Sequence, residues 1–281
     1  MLQPALAVVV VIAAWWLSTA LVLRLVWLRP TTHAISVAAS SVLALVALEG
    51  VVVTSASDSV GAAYLAFGCA LTVWAWHELT FLLGLVTGPR RAPCPPGARG
   101  WARFRFATAA VIHHEIALAL TAVVLVALTW GAPNQVATLT FLVLWVMRLS
   151  AKLNLFLGVD RVSDDFIPVR LRYLLTYFRR ARFNPLMPLS LVASALVTWS
   201  FAASALSDEV TTSTAVGHSL IGTIVALALL EHLFLVLPVR DALLWRWVLR
   251  SEDRVAPPPR PRASWRSLWS STRELDEGSV P

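Results

Sequence analysis

Residues 141–158 have the sequence FLVLWVMRLSAKLNLFLG, an apolar stretch that nevertheless contains Arg148, Ser150, Lys152 and Asn154. Charged side chains inside a membrane are costly, and they mark a functional site or an obligatory partner. The helical repeat places Arg148 and Lys152 on one face, with Ser150 and Asn154 roughly opposite them. If a helix is polar on two sides, neither of these sides can face lipid. We therefore expect this helix in the middle of a bundle whose other helices supply counter-charges.

The composition of the whole chain is that of a membrane protein with several spans. Hydrophobic residues make up 58% of the chain and charged residues 14%, there are thirteen Trp, and the mean hydropathy is +0.71. The formal net charge of +7 comes from basic residues confined to certain links, a pattern that indicates membrane orientation. The two cysteines give neither a disulfide framework nor a zinc spacing. We expect membrane lipid as a partner and no nucleic acid.

Seven apolar segments are long enough to cross a bilayer. The predicted fold class is all-α, a polytopic helical membrane bundle of about seven transmembrane helices that occupies residues 1–239. The first segment is much longer than the core of a signal peptide, so we expect it to be retained. The predicted spans are 4–28, 34–56, 60–86, 106–130, 135–157, 185–206 and 214–239.

Basic residues alternate between the links that connect these segments. The links SASDS, GAPN and SDEVTTST contain no Lys or Arg, whereas the first, third and fifth links and the C-terminal segment are basic. Because basic links stay on the cytoplasmic side, this alternation predicts an N-terminus outside and a C-terminus in the cytoplasm. The expected location is a membrane that the chain crosses several times.

The cytoplasmic side has three recognisable segments. Residues 88–101 form a basic loop broken by Pro and Gly, and residues 168–182 alternate apolar residues with arginines as an interfacial amphipathic helix does. Residues 240–281 are predicted to be a basic, Pro/Arg-rich cytoplasmic tail. The basic residues expected to face lipid or partner subunits are Arg90, Arg91, Arg170, Arg172, Arg179 and Arg180.

Ionisable residues of four predicted spans fall at one depth, roughly 11 to 14 Å from the cytoplasmic boundary at 1.5 Å per residue. Lys152 lies about one turn closer to that boundary than Arg148. Besides these two cations and Asn154, the candidates for a pigment or metal site in this layer are His77, Glu78, His113, His114, Glu115, Glu231 and His232. No catalytic residue is identified.

Several interpretations of the layer stay open at this point. In the first, the glutamates neutralise Arg148 and Lys152, and the histidines complete a hydrogen-bond network that fixes helix packing. In the second, the His and Glu side chains bind iron or zinc, although their spacing is not Glu-x-x-His and two cations lie nearby. In the third, a neutral histidine ligates the metal of a tetrapyrrole while a cation binds its propionate arm. A proton or ion pathway is a fourth interpretation.

Several strings in the same region resemble a known family. They are WHELTFLLGLVTGPRRAPCPPGARGWARF, HHEIALAL, TWGAPNQVATLTFLVLWVMRLSAKLNLFLGV and FNPLMPLS, and together they cover about residues 76–190. They are similar to the photosynthetic complex assembly proteins of PuhE type from purple phototrophic bacteria. The chain departs from the pattern of that family at Asp160 and Arg161, near Val169 and Arg170, and at Phe183.

The resemblance implies a role in building the photosynthetic apparatus, and it implies a location in the bacterial inner membrane, cytoplasmic or intracytoplasmic photosynthetic. The partners it implies are the reaction centre and light-harvesting subunits, and the implied pigment is bacteriochlorophyll or a related tetrapyrrole. It carries over no catalytic residue, so we predict a non-catalytic assembly or pigment-handling factor. The alternatives are a membrane metalloenzyme with a His/Glu iron site that acts on a pigment or lipid, and a purely structural membrane scaffold.

Overall fold

The computed structural model describes residues 2–160, 162, 167–237 and 244–249. Every long element in this part of the chain is an α-helix, and the seven long helices are each apolar enough to cross a membrane. This confirms the predicted polytopic helical bundle. The helices are α1 (Leu2–Val26), α2 (His33–Ser55), α3 (Val60–Leu82), α4 (Gly100–Leu128), α5 (Val136–Leu157), α6 (Leu186–Ala205), α7 (Thr212–Phe234) and the short α8 (Arg246–Leu249).

Apart from residues 244–249, the predicted tail over residues 240–281 lies outside the described residues, as does Arg161. The boundary between a membrane domain and a cytoplasmic tail therefore stays a prediction. So does the orientation of the bundle.

Helix α3 ends at Leu82, four residues before the predicted end of its span. Gly84 has φ +74°, its N–H donates to the carbonyl of Phe81, and the N–H of Leu85 reaches back to the carbonyl of Thr80. This left-handed glycine with its pair of backward bonds is a Schellman ending, which stops a helix even within an apolar sequence. The following turn thus begins deeper in the bundle than hydropathy indicates.

Helix α4 begins at Gly100, six residues before the predicted start of its span. Its first turns contain Arg103, whose Nη1 donates to the carbonyl of Phe156 at 3.0 Å and whose guanidinium lies 4.2 Å from the centre of the Phe156 ring. Arg103 also donates to the carbonyl of Tyr177. These contacts order a basic, helical extension that a hydropathy plot assigns to a loop.

The segment predicted as an interfacial helix over residues 168–182 is a 3₁₀ helix, Val169–Tyr177. Its buried side chains are Leu171, Leu174 and Tyr177. This spacing of three residues matches the three residues per turn of a 3₁₀ helix, so all three side chains lie on one side. They pack against Phe81 of α3 and Ala110 of α4. The segment therefore covers the end of the bundle. Its Arg172 is exposed, whereas its Arg170 reaches back to the turn that follows α3.

Helices α3 and α7 form the centre of the bundle. Over their most apolar stretches, 56% of the α3 residues and 50% of the α7 residues are buried, against 28% for α5. Small residues permit this close packing: a Cβ added at Gly222 of α7 would lie 2.9 Å from Phe201 of α6. Helix α5 contacts α2, α3, α4, α6 and α7. It is therefore surrounded by other helices, as predicted, although α3 and α7 are more deeply buried than α5.

Candidate functional site

Two ion pairs join α5 to neighbouring helices. Arg148 Nη2 lies 3.0 Å from Oε2 of Glu78 on α3, and Lys152 Nζ lies 2.5 Å from Oε1 of Glu115 on α4. Trp145 Nε1 donates to the second oxygen of Glu115 at 3.3 Å. Arg148 and Lys152 stand one helical turn apart, yet they reach two different helices. Pairing is what makes charged groups tolerable at this depth.

The opposite face of α5 makes an uncharged network with α6 and α7. Ser150 Oγ lies 2.9 Å from Ser190 Oγ and 3.0 Å from Nε2 of His232, and Asn154 Nδ2 donates to Ser190 Oγ at 3.1 Å. Nδ1 of His232 donates to the carbonyl of Ala228 at 2.8 Å. Both ring nitrogens of His232 are thus engaged within the bundle, which makes this histidine a packing residue.

Two further histidines lie buried between α3 and α4. Nε2 of His77 is 2.9 Å from Oγ1 of Thr121. His114 is completely buried, its ring centroid lies 4.5 Å from that of Phe81 and 6.4 Å from that of His77, and neither of its nitrogens has a hydrogen-bond partner in the described part of the chain. Since buried polar atoms are nearly always hydrogen-bonded, His114 stands out as a candidate whose two ring nitrogens both lack a partner in the described residues.

The other two candidates lie at the surface of the bundle. His113 is exposed and so points away from its buried neighbour His114. Glu231 on α7 is also exposed, its Oε1 accepts a hydrogen bond of 3.1 Å from Trp15 of α1, and its charge acts on Arg148. The polar residues predicted to share one layer therefore form several small, separate clusters around α5.

The described residues contain no set of side chains that supports the interpretation as a metal site. Among the residues that the structure describes, no three His, Cys, Asp or Glu side chains are placed to hold a metal ion together. The reason is visible in the pairing, because Glu78 and Glu115 are occupied by cations and His232 by Ser150 and a carbonyl.

Arg148 keeps unused hydrogen-bonding capacity. Its side chain is 42% exposed, although it lies on the face of α5 that turns toward α3. Its hydrogen bond within the described residues goes to Glu78, whereas a guanidinium has five N–H donors. Oε1 of Glu78 is buried and has no hydrogen-bond partner in the same part of the structure. The site can therefore accept a further polar group, such as a carboxylate on the donors of Arg148.

The six arginines predicted to face lipid or partners divide into two groups. Arg90 donates to the hydroxyl of Tyr177 and to the carbonyl of Pro93, each at 2.8 Å, and Arg170 donates to the carbonyl of Leu83 at 3.2 Å. These two arginines fasten the cytoplasmic segments to the bundle. The remaining four are exposed: Arg91, Arg172, Arg179 and Arg180.

Two contributors to the site escaped prediction. Arg103 lies in the basic third link that hydropathy predicts, yet it binds the carbonyl of Phe156 at the end of α5. Trp15 was counted as an apolar residue of the first span, yet it donates to Glu231. An arginine next to aromatic residues, or a tryptophan far from both helix ends, is the kind of signal that points to such roles.

Comparison with known proteins gives a family match over most of the chain. A family model described as "Protein of unknown function (DUF3623)" matches residues 1–256. A Rhodobacter capsulatus protein with the name "Uncharacterized 30.4 kDa protein in puhA 5'region" is 38% identical over 255 residues, which cover 89% of this chain and 93% of that protein. No solved structure matches significantly.

Proposed function

The chain belongs to the DUF3623 family, and we propose that it is an assembly factor of the PuhE type for the bacterial photosynthetic reaction centre and light-harvesting complex. The name of its R. capsulatus relative places that protein beside the photosynthesis gene puhA. The strings over residues 76–190 independently resemble the assembly proteins. The proposed location is the inner or intracytoplasmic photosynthetic membrane, with the basic links on the cytoplasmic side.

The observation that carries the proposal is the incomplete partnering of Arg148. Its charge is balanced by Glu78 at 3.0 Å, but 42% of its side chain is exposed and most of its donors have no partner among the described residues. A purely structural ion pair in a bundle is normally closed on all sides, because every exposed charge in hydrocarbon is costly. An open guanidinium in the same bundle suits the carboxylate of an amphipathic ligand that arrives through the membrane.

A tetrapyrrole of the bacteriochlorophyll type fits the residue types of this region. Arg148 would hold its acidic arm, and His114 has two nitrogens free of described partners, one of which a central metal could take. A bound pigment would supply visible absorption and a flat apolar surface. Because His114 is fully enclosed, access to it requires α4 to separate from α3, whereas access to Arg148 does not.

No bond-making step is proposed, since no catalytic group is identified among the described residues. The metalloenzyme alternative lacks a three-ligand set in the described residues. The scaffold alternative accounts for the two ion pairs but leaves the open donors of Arg148 without a purpose.

The test replaces the chromosomal gene of a phototrophic host with variants and measures reaction-centre and light-harvesting absorption per amount of membrane protein. Arg148→Lys keeps a cation beside Glu78 but removes the planar donor array. We expect assembled complex to fall severalfold while the variant itself accumulates normally. Arg24→Lys, which changes an exposed arginine of α1, is the control. Normal assembly with Arg148→Lys and with Arg148→Gln contradicts a ligand role for Arg148.

A further inference from the structure

A cavity of about 150 Å³ lies between the turn that follows α3 and the 3₁₀ helix Val169–Tyr177. Its lining includes Leu83, Gly84, Thr87, Arg91, Arg170 and Tyr173. It is separate from the ion pairs of α5, and the function proposed above makes no use of it. Two of its six named residues are arginines, two carry hydroxyl groups, and none is acidic.

The two hydroxyl groups lack partners within the described residues. Thr87 is 2% exposed, and its Oγ1 is buried without a hydrogen bond. The Tyr173 hydroxyl is likewise buried and without a hydrogen bond. Two unsatisfied hydroxyls on residues that line one cavity are unusual, because a buried polar atom without a partner costs about 1–3 kcal/mol. A small turn of each side chain would let its hydroxyl donate to an acceptor in the cavity.

The two arginines also have donors to spare. Nη1 of Arg170 binds the carbonyl of Leu83 at 3.2 Å, which fixes the guanidinium at the cavity and leaves its other N–H groups available. Arg91 is exposed and makes no hydrogen bond or ion pair in the described part of the chain. Two arginines that line one cavity with no carboxylate among its lining residues favour an anion, and planar guanidinium donors match phosphate oxygens.

The walls of the cavity are held in place before any ligand binds. Gly84 adopts φ +74°, and the side chain of Arg170 passes over it at 3.5 Å from the position of a Cβ. The turn is tied to α4 by the N–H of Arg90, which donates to the carbonyl of Ala109, and by the carbonyl of Thr87, which accepts from the N–H of His114. A site built on fixed backbone loses less entropy when it binds its ligand.

We propose that this cavity binds a phosphate group through Arg91, Arg170, Thr87 and Tyr173. Two sources share this chemistry: the headgroup of a phospholipid of the adjoining leaflet, and the phosphate of a water-soluble molecule. The site differs from a diffuse attraction of basic residues to lipid, because it depends on two uncharged hydroxyls.

The test uses full-length protein purified in a maltoside detergent, which contains no phosphate. Thermal unfolding is followed with added inorganic phosphate, with chloride at the same ionic strength, and with phosphatidylglycerol. Native mass spectrometry of the same samples counts retained phospholipid. The variants are Arg91→Gln and Tyr173→Phe. Arg172→Gln is the matched control, since Arg172 is an exposed arginine of the same 3₁₀ helix outside the cavity.

We expect phosphate or phosphatidylglycerol to raise the unfolding temperature of the wild-type and Arg172→Gln proteins. Arg91→Gln and Tyr173→Phe should each weaken binding about tenfold or more, as loss of a hydrogen bond to a charged group does. Retained phospholipid with no response to inorganic phosphate identifies a lipid headgroup, and the converse identifies a soluble phosphate. The proposal is wrong if neither ligand stabilises the wild-type protein, or if Tyr173→Phe binds as well as the wild type.

Discussion

Arg148 and Lys152 differ in how completely their surroundings enclose them. Their side chains are 42% and 23% exposed, and the carboxylates that pair with them are 12% and 16% exposed. Glu115 accepts from both Lys152 and Trp145, so its two oxygens are satisfied, whereas Oε1 of Glu78 has no hydrogen-bond partner in the described residues. We infer that the Lys152 pair stabilises the bundle and that the Arg148 pair keeps capacity for a ligand.

The structural role of the Lys152 pair predicts strong coupling between its two members. Lys152→Met leaves Glu115 without its cation, and Glu115→Gln leaves Lys152 without its anion. Each single change should cost about 3–5 kcal/mol, because an unpaired buried charge remains. The double variant should recover a large part of this loss. Unfolding in detergent micelles, followed by circular dichroism, measures all three free energies, and additive single losses would show that the pair is not a unit.

Substitution by Leu should have opposite effects on stability at the two fully buried histidines, His232 and His114. His232→Leu removes partners of Ser150 and of the Ala228 carbonyl and should lower the free energy of unfolding by about 1–3 kcal/mol. His114→Leu removes no described hydrogen bond and should leave stability unchanged or raised. Thermal unfolding of the two purified variants compares them directly. If His114→Leu is the less stable of the two, then His114 has a structural partner.

At the scale of elements, the cytoplasmic ends of α3, α4 and α5 are closed by backbone contacts. Gly88 lies directly on α4, and a Cβ at this position would come within 2.3 Å of the carbonyl oxygen of Ala109. The 3₁₀ helix covers the same end with Leu171, Leu174 and Tyr177. Turn and 3₁₀ helix together build the phosphate cavity, so both must stay in place for that site to exist.

This closure predicts that Gly88→Ala destabilises the protein, since a methyl group at 2.3 Å from a backbone oxygen forces the turn away from α4. The control is Gly68→Ala in α3, where a Cβ meets nothing within 4 Å. That change should be neutral or stabilising by up to about 1 kcal/mol, the preference for Ala over Gly in a helix. Unfolding midpoints of the two variants are compared. Equal midpoints would mean that the turn does not rest on α4.

Hydropathy and helical periodicity predict the seven spans and the two polar faces of α5, because both depend on the order of side chains along one helix. The same periodicity places Arg148 and Lys152 toward carboxylates of other helices. The Schellman ending at Gly84, the α4 extension around Arg103 and the 3₁₀ geometry of Val169–Tyr177 were not predicted. Each depends on a contact with a distant backbone carbonyl or an aromatic ring, and such contacts leave no local pattern.

For the molecule as a whole, the charge of the links predicts an N-terminus outside and a C-terminus in the cytoplasm. The native Cys94 lies in the basic loop, and Ser57 lies in a link without Lys or Arg that is expected on the opposite side. A membrane-impermeant maleimide added to intact spheroplasts should label Ser57→Cys, made in a Cys94→Ser background, and should leave native Cys94 unlabelled until the membrane is opened. The reverse pattern of labelling would invert the proposed orientation.

The measurement that tests the central claim most directly is the absorption spectrum of the protein purified in mild detergent from a pigment-producing host, with metal content determined on the same sample. We expect a tetrapyrrole band in stoichiometric amount that is lost in Arg148→Gln and His114→Leu and kept in Arg24→Lys. A preparation without pigment contradicts pigment handling. Iron or zinc without pigment would favour the metalloenzyme, and neither would leave a scaffold held together by its ion pairs.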